Sequence, residues 1–225
     1  VTIYQIVGKP YAEIVGNRYK RNADGQLLLK NGLPQAGDQD VLGNAVYKWT
    51  GGWRNSFTYK GFNLGFLIDF KFGAKIFSGT NYQLYYYGMH KNTLNGRTPE
   101  NPAGSIVAQG IDEVTGQPNT TAVTSQDYYR AICNANIAEE FVYSADFIKL
   151  RELSFGYTFP KKFLEPLKYV KGLSVSFVAR NLWTIMKHTP NIDPESAINN
   201  TNAQGLELNG YPATRNIGFN INVKF

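Results

Sequence analysis

The fold is decided by the last stretch of the sequence, Arg215-Asn216-Ile217-Gly218-Phe219-Asn220-Ile221-Asn222-Val223-Lys224-Phe225. Every second residue from Ile217 to Phe225 is apolar, and the residues between them are glycine, asparagine or lysine. Strict alternation places all the apolar side chains on one face of a β-strand. A tilted strand crosses a bilayer in about 9–11 residues, whereas strands of soluble sheets average about 5–6. The alternative is an edge strand of a soluble sandwich, although a long apolar edge would promote aggregation in water.

The composition is that of a chain rich in strands and turns. Of 225 residues, 14% are aromatic, and the chain holds 15 tyrosines, 14 phenylalanines and 22 glycines, which favour strands and tight turns. No run of about 18 apolar residues occurs, so no transmembrane helix is expected. The net charge of +6 reflects 23 scattered lysines and arginines against 17 aspartates and glutamates, and without a basic run we expect no nucleic-acid partner. A single cysteine, Cys133, excludes an internal disulfide and cysteine-rich zinc sites.

Residues 47–76 carry the second strong strand signal, which consists of two amphipathic runs joined by Lys60-Gly61. A two-residue turn there pairs Tyr59 with Phe62 and puts both apolar sets on one face, because directly opposed residues share a face. Gly61 is expected at positive φ. The strand after the turn is predicted to run for about 15 residues, to position 76. Tyr59 and Phe62 would then lie at a membrane–water interface.

Weaker signals organise the remainder of the chain. Strands are predicted at 11–19, 147–159 and 173–183, short helices at 81–94 and 126–131, and loops at 33–46, 187–214 and most of 77–145. Thr124 and Ser125 are capping candidates for the second helix. The turn at 22–26 resembles a calcium loop only weakly, because it lacks regularly spaced carboxylates and a closing glutamate.

Connections between the long predicted strands alternate in length. Residues 60–61 and 160–172 form shorter connections, and residues 77–145 and 187–214 form long ones. Every long connection therefore falls on the side opposite to Phe225. Outer-membrane barrels have the same asymmetry, with short periplasmic turns and long external loops. The pattern favours a transmembrane β-barrel. Because the sequence begins at Val1 without a methionine or a targeting segment, we also expect it to be the back end of a larger protein.

Six stretches stand in a distinctive order: Lys48–Trp53, Phe57–Phe62, Phe72–Asn81, Asp146–Pro160, Ala179–Thr184 and the final strand. In content and order they resemble the C-terminal region of the SusC/RagA family of TonB-dependent outer-membrane transporters of Bacteroidetes. The resemblance implies an all-β fold, the C-terminal strands of a 22-stranded transmembrane antiparallel β-barrel with long extracellular loops carrying short helices. Residues 1–225 would be one part of that barrel and contribute about six to eight strands. The plug and the N-terminal strands would lie outside this chain.

The same resemblance implies a function and a set of partners. The expected function is active import of oligosaccharides or oligopeptides across the bacterial outer membrane, energised through TonB. The expected partners are a SusD-like surface lipoprotein, the TonB complex, the remaining barrel and plug, the barrel-assembly machinery and the lipid bilayer. The alternative is a soluble β-sandwich that serves as a carbohydrate-binding module. Partitioning would separate the two, because only the alternative predicts a freely soluble protein.

The residues that carry chemistry point to binding rather than catalysis. His90 and His188 stand in the two long predicted connections without the spacing of a metal pair or a catalytic triad, so we expect no enzyme activity, metal or cofactor. The candidates for contact with a solute or a lid protein are five loop tyrosines, whose rings can stack on sugars: Tyr85, Tyr86, Tyr87, Tyr128 and Tyr129. Packing within the loops is the simpler alternative for each.

Alternation also assigns side chains to the two faces of the predicted barrel wall. The charged residues expected to line the lumen are Arg54, Asp69, Glu152 and Arg180, with Thr58, Asn63, Ser154, Asn220 and Asn222 beside them. The residues expected to face lipid are Phe57, Tyr59, Leu64, Phe66, Ile68, Leu153, Phe155, Tyr157, Val175, Phe177, Phe219, Ile221 and Val223. The expected recognition signal for the assembly machinery is Phe219, Ile221, Val223 and the terminal Phe225.

Overall fold

A computed structural model describes residues 1–167, 169–198 and 204–225. The strands are β1 Thr2–Tyr4, β2 Glu13–Tyr19, β3 Leu28–Lys30, β4 Leu33–Pro34, β5 Ala36–Asn44, β6 Trp49–Tyr59, β7 Phe62–Phe72, β8 Lys75–Ser78, β9 Ile106–Val107, β10 Ile111–Asp112, β11 Ala122–Val123, β12 Val142–Ser144, β13 Phe147–Thr158, β14 Gly172–Lys187, β15 Leu206–Glu207 and β16 Asn216–Lys224. The α-helices are α1 Gly79–Tyr86, α2 Ser125–Asn134 and α3 Lys161–Leu164, and two 3₁₀-helices span Lys91–Leu94 and Ala138–Phe141.

The chain divides into two compact units. The first unit comprises Val1–Val46, Ala74–Ser144 and Thr189–Tyr211, and the second comprises Tyr47–Gly73, Ala145–His188 and Pro212–Phe225. None of the helices in the described part of the chain is both long enough and apolar enough to span a membrane.

The second unit contains one antiparallel sheet built from the long strands. Its order is β16-β14-β13-β7-β6, so each strand pairs with the next long strand along the chain. The strands are 9 to 16 residues long. The strand ends that lead into residues 60–61 and 159–171 lie at one end of this sheet, together with Phe225. The strand ends that lead into residues 73–146 and 188–215 lie at the opposite end. The predicted alternation of short and long connections is confirmed.

The hairpin of β6 and β7 has the predicted register. Tyr59 pairs with Phe62, and Phe57 with Leu64. Lys60 and Gly61 both have positive φ, 46° and 88°, as in the turn type that matches the twist of a two-residue hairpin. A Cβ added at Gly61 would lie 2.7 Å from the carbonyl oxygen of Thr158, so this position needs glycine for space as well as for conformation.

The sheet has one apolar and one polar face. A row of directly opposed residues crosses all five strands on the apolar face: Phe57, Leu64, Phe155, Phe177 and Phe219. The adjacent row on the other face is Thr58, Asn63, Gly156, Ser176 and Asn220. The large side chains of the apolar face are mostly exposed, and Phe219 reaches 76%. The predicted division of side chains between two faces is therefore confirmed.

Several predicted boundaries were wrong. Residues 33–46 are not loop, since β4 and β5 lie there and β5 pairs with β2. The strand after the hairpin ends at Phe72 instead of position 76, because Gly73 adopts a φ of +89° and β8 joins β12 and β15 in a separate sheet. The region 187–214 contains the short strand β15. The long-strand sheet has five strands in the described residues, fewer than the six to eight expected.

The core of the first unit lies between α1, α2 and the second 3₁₀-helix. Ile14, Ile132, Cys133, Ile137 and Phe141 are all buried there. Burial raises the pKa of the Cys133 thiol to about 12, so this cysteine behaves as a small apolar side chain.

Candidate functional site in the first unit

Two capped helices position the predicted tyrosines. The hydroxyl of Ser78 accepts the Asn81 backbone N–H at 3.0 Å at the start of α1. Thr124 does the same for Asp127 at the start of α2, also at 3.0 Å, which confirms one of the two predicted capping residues. Such caps satisfy backbone donors that the first helical turn leaves unpaired.

The structure brings the five predicted tyrosines together. Tyr85 of α1 and Tyr129 of α2 meet edge to face, with ring centroids 5.2 Å apart. Tyr86 contacts Tyr87, and Tyr128 contacts Tyr129, with centroid separations of 5.2 and 5.3 Å. Edge-to-face geometry is a favourable arrangement of aromatic rings. Because Tyr85, Tyr86, Tyr87 and Tyr129 also line one cleft, the five tyrosines form one cluster.

Two of these tyrosines do not offer open ring faces to a solute. Tyr85 and Tyr129 are only 2% and 7% exposed. The ring of Tyr85 also packs on Phe141 at 5.1 Å and on His90 at 4.7 Å. For Tyr85 and Tyr129 the sugar-stacking expectation is thus corrected, because neighbouring side chains cover their faces. Tyr86 and Tyr128 are half-buried and Tyr87 is 64% exposed, so contact with a solute or lid stays a prediction for these three.

The carboxylate of Glu140, which was not among the predicted site residues, connects the tyrosine cluster to Tyr19. The Oε1 and Oε2 atoms of Glu140 accept the hydroxyls of Tyr85 and Tyr19, both at 2.8 Å. The Tyr85 hydroxyl in turn accepts the Asn92 side-chain amide at 2.7 Å, and the Tyr129 hydroxyl donates to the Asn92 carbonyl at 2.5 Å. Residues distant in sequence thus fix each other's orientation.

The electrostatics of this network keep the tyrosines protonated. Burial, followed by the charge and hydrogen bond of Glu140, raises the pKa of Tyr19 and of Tyr85 well above the ordinary value. Burial and the same carboxylate also raise the pKa of Tyr128. Because both bonded hydroxyls stay neutral, they remain donors to Glu140 at physiological pH.

The tyrosine–Glu140 network borders a cleft of about 560 Å³. Polar side chains in its lining include Tyr19, Asn92, Asn95, Gln109, Tyr128 and Glu140. Its volume lies within the range of about 300–1,000 Å³ that is usual for ligand pockets. We call it the Glu140 cleft. Its hydroxyl, amide and carboxylate groups suit a polar, hydrogen-bonding solute.

No metal site accompanies these groups. Within residues 1–167, 169–198 and 204–225, no group of three His, Cys, Asp or Glu side chains could hold an ion. Nδ1 of the buried His90 accepts the Asn92 backbone N–H at 3.1 Å, and burial lowers the pKa of this imidazole. In the turn at 22–26, the side-chain oxygen of Asn22 accepts the backbone N–H groups of Asp24 and Gln26. That oxygen therefore organises a turn.

The predicted lumen-lining charges share the polar face of the second unit's sheet. Arg54 Nη2 lies 2.7 Å from Glu152 Oε2, and Arg180 Nε lies 4.0 Å from Glu152 Oε1. Asp69 pairs with Arg151 at 2.8 Å. Arg151 was not among the predicted residues, because a β-bulge between Leu150 and Glu152 interrupts the alternation on which that prediction rested. That these charges line a lumen stays a prediction.

The predicted assembly signal lies on the opposite, apolar side. Phe219, Ile221 and Val223 are exposed members of β16, and Phe225 follows that strand and is exposed too. Recognition of these residues by the assembly machinery stays a prediction.

Three relatives that are similar to this chain in sequence are TonB-dependent receptors. No protein-family model matches the chain. The TonB-dependent receptors P39, P3 and P26 of Formosa agariphila are 28%, 27% and 25% identical to it over 214, 201 and 206 residues. These matches cover 93%, 87% and 87% of this chain but only 19%, 18% and 19% of the receptors. The chain therefore spans about a fifth of the length of these relatives.

Solved structures support the same relationship at the level of the fold. The RagAB peptide importer in its closed-closed and open-open states matches with a TM-score of 0.59 and 16% identity. The matches cover 96% and 100% of this chain and 23% and 24% of the importer chain. At this identity the likeness concerns the fold alone. TonB-dependent receptors are outer-membrane proteins, and this chain is similar in sequence to about a fifth of the length of such receptors and in fold to part of the RagAB peptide importer.

Proposed function

We propose that the chain forms part of the barrel wall of an outer-membrane importer. The rest of that protein would supply the plug and the N-terminal strands of the barrel. The observation that carries the proposal is the two-faced sheet of five long strands. Its exposed apolar face suits lipid, and its polar face, with Arg54, Asp69, Glu152 and Arg180, suits a water-filled lumen. Closure with further strands would remove the free edges that β6 and β16 present in this sheet.

The alternative of a soluble β-sandwich module fits the second unit less well. A sandwich buries the apolar faces of two sheets against each other. In the described residues of this unit there is one sheet, and Phe57, Phe155 and Phe219 on its apolar face remain at least half exposed. The absence of a covering layer favours a lipid-facing surface.

We further propose that the imported solute is an oligopeptide or an oligosaccharide, taken up with energy from TonB and with a SusD-like lipoprotein at the surface. The names of the receptor relatives support coupling to TonB, and the likeness to a peptide importer supports the peptide class. The polar Glu140 cleft is compatible with either solute, because both present amides or hydroxyls.

Neighbouring residues of β16 provide a matched test of the lipid-facing proposal. Phe219→Cys and Asn220→Cys would be made in the full-length receptor and labelled in isolated outer membranes. We expect Phe219→Cys to react with a lipid-soluble maleimide and Asn220→Cys with a water-soluble one. The native Cys133 is buried and serves as the unreactive background. Equal water-soluble labelling at both positions would contradict a lipid-facing surface.

Import itself is tested in cells that lack the full-length receptor. Restoring the receptor should restore uptake of fluorescent oligopeptides or oligosaccharides, and deleting TonB should abolish that uptake. Recovery of the receptor as a freely soluble protein, or uptake that is independent of TonB, would refute the proposal.

A further inference from the structure

A second, smaller cleft shares Tyr85 and Tyr129 with the Glu140 cleft. Its volume is about 270 Å³, and its polar lining includes Tyr86, Tyr87, Arg97, Ser125, Gln126 and Arg130. We call it the arginine pocket. Because ligand pockets usually measure about 300–1,000 Å³, this one fits a single residue of an oligomer. Tyr87 and Gln126 are exposed, so the pocket is open to solvent at these residues.

Arg130 is held in a fixed orientation at this pocket. Its Nε donates to the Tyr86 carbonyl at 3.3 Å, and its guanidinium lies over the Tyr86 ring at 5.2 Å from the centroid. Arg130 donates to this carbonyl through Nε alone. The terminal nitrogens of an arginine held in this way form a rigid pair of donors.

Arg97 has a buried donor without a partner. Its Nε is inaccessible to solvent and makes no hydrogen bond in the part of the chain that the structure describes. The terminal nitrogens of the same guanidinium lie near Gly88, where an added Cβ would come within 3.4 Å of Nη2. A solute cannot reach the buried Nε, so contact with the pocket involves the terminal nitrogens of Arg97, whose side chain is half-buried.

The arginine pocket is positively charged as a whole. No carboxylate is among its lining residues, and neither arginine forms a salt bridge within the described ranges. Ser125 and Gln126 open α2, whose N-terminus adds partial positive charge. Asp127 in the same turn is engaged with the Thr124 hydroxyl at 2.7 Å and does not line the pocket.

We propose that the arginine pocket binds a carboxylate group of the imported solute. The inference rests on the proposed import function and narrows its substrate class to acidic oligomers. Planar guanidinium groups match carboxylates in geometry and charge, and such bonds are stronger than those between neutral partners. The carboxylate comes either from an acidic peptide or from a uronic-acid oligosaccharide, since both present the same group.

The test uses the full-length receptor purified in detergent and isothermal titration calorimetry. The acidic probes are triglutamate with blocked ends (N-acetyl, C-amide) and trigalacturonate, and their neutral counterparts, which carry no carboxylate, are triglutamine with the same blocked ends and trigalactose. We expect one acidic probe to bind at least about tenfold more tightly than its counterpart, because charge-assisted bonds are roughly twice as strong as neutral ones. The probe that binds identifies the source of the carboxylate.

Variants locate the binding site. Arg130→Gln and Arg97→Gln should each abolish the preference for the acidic probe, whereas Lys91→Gln, an exposed cation of the neighbouring 3₁₀-helix, should preserve it. Hydrogen exchange across α1 and α2 verifies that each variant remains folded. If Arg97→Gln disturbs the fold, Arg130→Gln decides the matter alone.

Equal affinity for acidic and neutral probes, or a preference that survives Arg130→Gln, would overturn the arginine pocket as a carboxylate site. In that event a receptor that still imports neutral oligomers in a TonB-dependent way leaves the proposed function intact. The two failures are therefore distinguishable.

Discussion

Replacing Glu207 with glutamine should destabilise the start of α1. Glu207 is fully buried, and four donors converge on its carboxylate. Oε2 accepts the Ser78 hydroxyl at 2.9 Å and the Thr80 backbone N–H at 3.3 Å. Oε1 accepts the Thr80 hydroxyl at 2.5 Å and the Gly210 backbone N–H at 2.8 Å. Each oxygen thus serves one hydroxyl and one backbone N–H.

Glutamine has the same shape but cannot reproduce this pattern. Wherever its NH₂ group is placed, it faces a backbone N–H that cannot accept. Ser78 Oγ is also occupied as an acceptor by two N–H groups of Asn81, whereas Thr80 Oγ1 receives only the Asn209 N–H and can accept one more donor. In the better orientation the NH₂ group donates to Thr80 Oγ1 and the bond from the Gly210 N–H is lost, so we expect a cost of about 1.5–3 kcal/mol or more.

Hydrogen exchange measured by mass spectrometry on the full-length receptor in detergent provides the assay. Amides of α1 and of the segment around Gly210 should exchange about tenfold faster or more in Glu207→Gln, since each 1.4 kcal/mol corresponds to a factor of about ten. Glu100→Gln, at an exposed position, is the matched control and should leave exchange unchanged. Unaltered protection in Glu207→Gln would refute the reasoning that this carboxylate anchors the helix.

Four further predictions concern the two units. Gly61→Val should lower the yield of assembled receptor in outer membranes, because the φ of +88° and the close carbonyl exclude a branched side chain; a normal yield would contradict the predicted turn. Asn55→Leu should raise the denaturant midpoint by removing a buried amide nitrogen that has no partner among the described residues, worth about 1–3 kcal/mol; an unchanged or lower midpoint would contradict this. Glu140→Gln should accelerate exchange around the tyrosine network by about tenfold or more, because the hydroxyls lose a charged acceptor; unchanged exchange would refute the role of Glu140. Burial opposes ionisation of Glu139, but the Arg21 hydrogen bond and charge outweigh it and lower the pKa of this carboxyl. The stability that ionised Glu139 gives the first unit is therefore present above about pH 4.5 and should be lost as the pH falls through the lowered pKa. Acid unfolding of the first unit that is identical in the unsubstituted receptor and in Glu139→Gln would contradict this.

The sheet could be predicted from the sequence because its information is local. Alternation within β16 determines which residues lie on its apolar and polar faces, and the parity change at Lys60-Gly61 determines the register of β6 with β7. Neither depends on residues distant in sequence. Prediction failed where a strand forms because a segment from another part of the sequence pairs with it. β5 contains two glycines and two aspartates, residues that disfavour strands, and it forms because β2 lies beside it. The bulge at Arg151 likewise depends on register with its neighbours and leaves no signature in composition.

The candidate site was predictable only in part, for a related reason. Spacing at i, i+3 and i+4 in α2, as in Tyr129, Ile132 and Cys133, is the pattern of a helix face that packs against a core, and it would have indicated that Tyr129 is buried. No such local pattern exists for Glu140. Its partner Tyr19 is 121 positions away, and only the folded unit brings the carboxylate to the hydroxyl.

The two clefts of the first unit share a wall, and this determines which substitutions can separate their roles. Tyr85 and Tyr129 line both the Glu140 cleft and the arginine pocket. Because Glu140 fixes the Tyr85 hydroxyl, removing its charge alters the common wall and so disturbs the arginine pocket as well. Arg130 is bonded instead to a main-chain carbonyl, which a side-chain substitution leaves in place. A change at Arg130 therefore reports on the recognition of negative charge, whereas a change at Glu140 reports on the integrity of the whole aromatic cluster.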